Sequence, residues 1–175
     1  MFAPYLDDLV SWTAIGARTV ESQTHRAMAS ALPMPVGFKN GTEGNVAAAV
    51  DAQITAAAPQ AVPAVDPDGR LAMRPVAGNP HGHLVLRGGR EGPNFDSANV
   101  ALAEAKMRAA GLTPKIMGDC HHANSGKRPE RQMAVVRSVV SQLKAGSRSL
   151  IGIMVESHIE DGNQPIGADH RGLRY

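Results

Sequence analysis

The sequence predicts an α/β fold forming part of a (β/α)8, or TIM, barrel, on three observations. Short apolar extended runs alternate with helical stretches along the 175 residues. Residues able to bind anions or metals stand directly after those runs, where the active sites of such barrels lie. Five strands are visible, whereas a closed barrel needs eight strands and roughly 250 residues. The expectation is therefore a partial barrel of about five β/α units, carried by one domain over residues 1–175.

The first unit pairs an apolar segment at Ser11 to Gly16 with a helix from about Thr19 to Leu32, whose alanines and Met28 share a side. Pro35-Val36-Gly37-Phe38-Lys39 is the second extended run. Asn40-Gly41-Thr42 serves as turn and cap before an alanine-rich helix from Glu43 to Ala57. Prolines at 59, 63, 67, 75 and 80 then exclude a long helix, and Asp66-Pro67-Asp68-Gly69 is turn chemistry, so residues 59–80 read as an inserted β-hairpin. His83 to Leu86 is the third strand of the repeat and Ser97 to Ala110 its helix. Lys115 to Gly118 is the fourth strand, followed by a helix from about Pro129 to Lys144. Leu150 to Val155 is the fifth strand. Strands and helices alternating in this way imply a parallel sheet with right-handed crossovers.

Charge and composition narrow the function. A net charge of +2, with 18 basic residues scattered along the chain, argues against nucleic acid as a partner. The single Cys120 rules out an intramolecular disulfide. No apolar stretch approaches the roughly 18 residues of a membrane span, and Met1-Phe2-Ala3-Pro4 lacks the features of an export leader, so the expected location is the cytoplasm.

The expected strand ends carry Arg18, Lys39, Arg87, His121 or His122, and Glu156. Taken singly, each cation is an ordinary surface residue. Three of them at equivalent positions around one mouth point to a pocket for a small, multiply charged anion, because Arg binds phosphate or carboxylate in a bidentate manner and Lys adds a point charge. Gly88-Gly89 would let such a ligand approach the backbone. A histidine and Glu156 on neighbouring strands have the chemistry of divalent-metal ligands, although two ligands do not close a site. Spacing alone leaves the choice between His121 and His122 open.

Other chemistry is absent. The chain has no Walker loop, Gly-x-Gly-x-x-Gly fingerprint, Gly-x-Ser-x-Gly elbow or His-Glu-x-x-His helix. His25, His81, His83, His158 and His170 have no spacing that makes a site. Met28, Met107, Met117, Met133 and Met154 fall on apolar faces, where packing accounts for them. Cys120, alone at the end of a buried strand, reads as an inert core residue.

The strings IGARTVESQTHR (15–26), PVGFKNGT (35–42), LRGG (86–89), HHANSGK (121–127) and IGIMVESHIEDGNQ (151–164) closely resemble the class I 3-deoxy-D-arabino-heptulosonate 7-phosphate (DAHP) synthases. The resemblance runs from about Tyr5 to Gln164, with five motifs in the family's order. These shikimate-pathway enzymes condense phosphoenolpyruvate with erythrose 4-phosphate and release phosphate. The resemblance implies that Arg18 and Arg87 hold mainly the phosphate of phosphoenolpyruvate and Lys39 its carboxylate end. It also implies that His122, rather than His121, and Glu156 ligate a divalent metal such as Mn, Fe, Co or Zn. That metal would polarise the aldehyde, C3 of phosphoenolpyruvate would attack it, and water would add at C2 before phosphate leaves.

The family's Gly-Pro-Cys-Ser-Ile-His and Lys-Pro-Arg-Thr motifs do not occur here, and Cys120 does not replace the motif cysteine. The family's last ligand, an Asp, would fall just beyond Tyr175, with Asp169 no substitute. The effector-binding hairpin of regulated members corresponds to Ala61 through Val76, where Pro67-Asp68-Gly69-Arg70 departs from the usual Lys-Trp-Gly-His. Two alternatives follow: a catalytically inactive fragment of the enzyme, or a non-catalytic module binding a phosphorylated metabolite. Exposed sheet edges imply a homo-oligomer or an N-terminal partner segment.

Overall fold

A computed structural model describes residues 9–66, 68–162, 164 and 170–172. Its frame is a five-stranded parallel sheet of β1 (Thr13–Ile15), β2 (Val36–Lys39), β5 (Gly82–Leu86), β6 (Ile116–Asp119) and β7 (Leu150–Met154), paired in that order. Between β2 and β5 the chain forms a two-stranded antiparallel sheet of β3 (Gln60–Val65) and β4 (Leu71–Val76), with Asp66 closing the turn by accepting the Arg70 amide. Helices α1 (Gln23–Ala31), α2 (Ala47–Ala57), α3 (Ser97–Ala109) and α5 (Gln132–Lys144) follow β1, β2, β5 and β6.

Strand alternation sorts the two faces. Val36, Phe38, Leu84, Leu86 and Ile116 bury themselves with Ala29, Ala49, Val50, Val100, Met107 and Val139 of the helices in one core. The alanines of α2 let that helix lie close to the sheet: Ala49, Ala52 and Ala56 are fully buried. α3 is capped by Asp96, whose carboxylate accepts the amides of Ala98 and Asn99. Gly37, Lys39, His83, Val85 and Asp119 occupy the opposite sheet face, so that polar side chains gather where the helices do not pack.

Among the described residues the sheet is open. Its edges are β1 and β7, and on β7 Ile151 and Ile153 are exposed. Four of the five strands carry a following helix, and no α-helix follows β7 among the described residues. Several boundaries also shift. α1 begins at Gln23 because residues 17–21 form a turn, and α2 begins at Ala47, after a loop in which Gly41 both accepts from Gly44 and donates to Asn45. The helix expected from Pro129 opens as a 3-10 turn, Pro129–Arg131, before α5. A four-residue helix that the sequence reading did not anticipate, α4 (His122–Ser125), lies directly after β6. Asp169 and Pro67 lie outside the described residues. No helix among the described residues is long and apolar enough to cross a membrane.

Candidate active site

The parallel register brings the C-terminal ends of β2, β5, β6 and β7 side by side. Lys39 pairs with Val85 and Val85 with Met117, so the Lys39 side chain reaches across the central strand to the carboxylate two residues beyond Met117. Its Nζ lies 2.9 Å from Asp119 Oδ2. The Asp119 side chain is fully buried and that of Lys39 is 12% exposed. The same Oδ2 stands 2.9 Å from His122 Nδ1, and Oδ1 accepts the His121 amide. Burial alone would raise the Asp119 carboxyl, but the contacts of His122 and Lys39 outweigh it and hold it below the usual carboxylate range.

Glu156 joins this group from the segment after β7. Its Oε1 is 3.5 Å from His122 Nδ1 and its Oε2 3.7 Å from His121 Nε2. Gln132, buried at the start of α5, fixes the position: its amide nitrogen donates to the Glu156 carbonyl and its amide oxygen accepts the Glu156 N–H. His122 itself has a φ of 45°, a left-handed conformation that costs a non-glycine residue about 1–3 kcal/mol and is found where function dictates geometry.

Arg87 follows β5 on the same face as Val85 and is buried. Its Nη1 makes only a 3.4 Å contact with the Gly88 carbonyl, and its buried Nε has no partner. A buried guanidinium nitrogen without an acceptor is costly unless an anionic ligand satisfies it. Three buried asparagines shape the backbone beside it. Asn40 Oδ1 accepts the Arg87 amide, Asn94 Oδ1 accepts the Gly88 amide, and Asn124 Oδ1 accepts the Asn94 amide. Asn124 in turn donates to the carbonyls of Leu86 and Asp119, tying β5 to β6 at the site.

The structure therefore brings Lys39, His122 and Glu156 together and sets the buried Arg87 on the neighbouring strand. Arg18 is exposed in the turn after β1, with no hydrogen bond or ion pair to the others among the described residues. Sequence reasoning missed Asp119, Gln132 and the three asparagines. Asp119 had a signal, an acid at the end of a strand whose neighbours end in cations; Asn40 and Asn124 lie within the PVGFKNGT and HHANSGK strings, whereas Asn94 and Gln132 had no signal. Cys120 is fully buried, and burial, then the Asp119 charge, push its thiol up to about 11, so it is a neutral thiol near pH 7.

His122 and Glu156 fit part of a metal-donor set. Nδ1 of His122 is buried, while the side chain as a whole is 29% exposed, so its accessible surface lies elsewhere on the ring. The Glu156 carboxylate is half exposed beside it. Among the described residues no group of three or more His, Cys, Asp or Glu is arranged to hold a metal ion. A cavity of about 240 Å³ lies at the β1 edge, lined by Val10, Ile15, His25, Met28 and Leu32, apart from these charged groups.

Comparison with known proteins bears on this arrangement. Residues 2–175 match the DAHP synthetase I family. The chain belongs to that family. It is 53% identical over 171 residues to the phospho-2-dehydro-3-deoxyheptonate aldolase, Tyr-sensitive, of Salmonella typhimurium, covering 98% of this chain and 48% of that protein. It is 47% identical over 162 residues to the Phe-sensitive aldolase of Escherichia coli strain K12, covering 93% of this chain and 46% of that protein. Among solved structures, the phospho-2-dehydro-3-deoxyheptonate aldolase of Francisella tularensis superposes with a TM-score of 0.89 at 42% identity, over 98% of this chain and 49% of that one. This member of the DAHP synthetase I family thus spans about half the length of the relatives it matches.

Proposed function

We propose that this chain supplies part of the active site of a DAHP synthase, the enzyme that condenses phosphoenolpyruvate with erythrose 4-phosphate to give DAHP and phosphate. The observation that carries this reading is the convergence of Lys39, Asp119, His122 and Glu156, with the buried, unpartnered Nε of Arg87 on the neighbouring strand, at the ends of adjacent parallel strands. The match to the DAHP synthetase I family and the identities shared with phospho-2-dehydro-3-deoxyheptonate aldolases support it. In this reading the chain is a single domain with an insertion at 59–80, and its sheet forms part of a (β/α)8 barrel.

Arg87 binds the phosphate of phosphoenolpyruvate, satisfying the buried Nε, and Lys39 neutralises the carboxylate end. Arg18, exposed in the turn after β1, is assigned to the same phosphate. Fixing both ends of the enol leaves its C3 presented in one orientation. His122 and Glu156 would hold a divalent cation of the manganese, iron, cobalt or zinc type; when bound, that ion supplies Lewis-acid polarisation of the aldehyde.

The test is to exchange this sequence for the matching half of the Salmonella typhimurium relative and to measure DAHP formed from both substrates with added manganese. Product from the chimera, lost in Arg87→Ala, is the expected result. A folded chimera without activity contradicts the reading. Binding of phosphoenolpyruvate that needs no metal and is never followed by turnover would favour a non-catalytic module instead.

A further inference from the structure

We propose that Asp119 is a positioning residue: its buried carboxylate fixes His122 as the Nδ1–H tautomer, leaving Nε2 as the only nitrogen free for a metal, while the same oxygen holds the Lys39 ammonium. This rests on the reading of His122 as a metal donor, but its first test does not.

The preference for Nδ1–H is electrostatic. An oxygen of an ionised carboxylate 2.9 Å from a ring nitrogen repels a lone pair there and attracts an N–H dipole, which favours the proton of a neutral His122 on Nδ1. Glu156 Oε1, at 3.5 Å from the same nitrogen, acts in the same sense. The contact to Asp119 is short but bent, since Nδ1 makes no aligned hydrogen bond; the sign of the field, not the alignment, selects the tautomer. Less than 1 Å² of Nδ1 is accessible, so an ion arriving from solvent does not reach it.

Asp119 is itself rigid. Its Oδ1 accepts the His121 amide at 2.9 Å and its carbonyl accepts from Asn124 at 2.8 Å, while Lys39 holds Oδ2 from across β5. A carboxylate behind a ligating imidazole orients the ring and raises its basicity. Here that carboxylate also holds the cation assigned to the substrate, so the two halves of the site share one anchor.

The experiment is nitrogen-detected NMR on the 175-residue chain labelled in histidine, at a pH well above the ordinary histidine pKa, with His122→Gln identifying the His122 signals. The expected spectrum has His122 protonated at Nδ1, and in Asp119→Asn that preference is lost. A wild-type His122 protonated at Nε2, or an Asp119→Asn spectrum indistinguishable from wild type, overturns the proposal. If Asp119→Asn does not fold, the wild-type spectrum alone decides. Zinc is the second probe. It is expected to shift Nε2 and not Nδ1, with affinity falling about 10–100-fold in Asp119→Asn, and a zinc-induced shift at Nδ1 overturns the proposal. If zinc shifts neither nitrogen while the tautomer is Nδ1–H, the metal reading fails and the positioning role stands.

Discussion

Trp12 Nε1 donates a hydrogen bond to His83 Nε2 at 3.0 Å across the sheet face that the helices leave uncovered. His83 is 3% exposed, and burial, partly countered by a backbone hydrogen bond at His81, pushes its pKa below 6.5. As a base with a depressed folded-state pKa it stays neutral where the unfolded chain takes up a proton. Its contribution to stability is complete above about pH 6.5 and is lost as the pH falls from there towards the folded-state value. Urea midpoints are expected to fall between pH 7.5 and 5, with a shallower fall in His83→Gln.

Gly37 sits beneath that pair. A Cβ there would stand 2.8 Å from Val85 Cγ2, 3.0 Å from Trp12 Cζ2 and 3.1 Å from His83 Nε2. Gly37→Ala is expected to destabilise the fold by about 1–3 kcal/mol, the usual cost of overpacking, as measured by urea denaturation.

The strand and helix order was legible in the sequence because buried parallel strands are continuous apolar runs and the helices between them are rich in alanine. Leu150 to Val155 was read to within a residue of β7. Helix starts are less legible: Ser22 and Val46, which precede α1 and α2, make no capping hydrogen bond through their side chains, and the cap expected at Asn40-Gly41-Thr42 lies in the loop before α2, where Asn45 instead accepts the Ala47 amide. The site was legible where its residues follow strands, as Lys39 and Arg87 do. Asp119 is not legible as a site residue because a lone acid beside two histidines and a cysteine has several readings, and only the register of β2, β5 and β6 shows that Lys39 reaches it. Gln132 belongs to an ordinary helix in the sequence; its grip on Glu156 exists only once β7 and α5 are packed together.

Gly88 sets the backbone beside Arg87. Its φ is 75°, and a Cβ would meet the backbone of Ala123 and Asn124 at 2.8 Å. Gly88→Ala is expected to lower stability by about 1–3 kcal/mol and, because Ala123 adjoins His122, to weaken zinc binding as well. Calorimetry on the folded variant checks the second effect, and unchanged zinc affinity would separate the turn from the metal site.

Asn40 satisfies the Arg87 amide, the Asn94 side chain and the Gly88 carbonyl at once. Asn40→Ala leaves several buried polar groups unpaired, at about 1–3 kcal/mol for each group left unsatisfied. A loss of at least about 2 kcal/mol in chemical denaturation is the expected result.

Titration calorimetry of the 175-residue chain with phosphoenolpyruvate tests most directly whether these strand ends form the proposed pocket. Arg87→Ala serves as the disabled variant. Arg90→Ala is the control, because that exposed side chain pairs with Glu43. Saturable binding by the wild type and Arg90→Ala, lost in folded Arg87→Ala, is the predicted result; binding that Arg87→Ala leaves unchanged, or none in the wild type, contradicts the account.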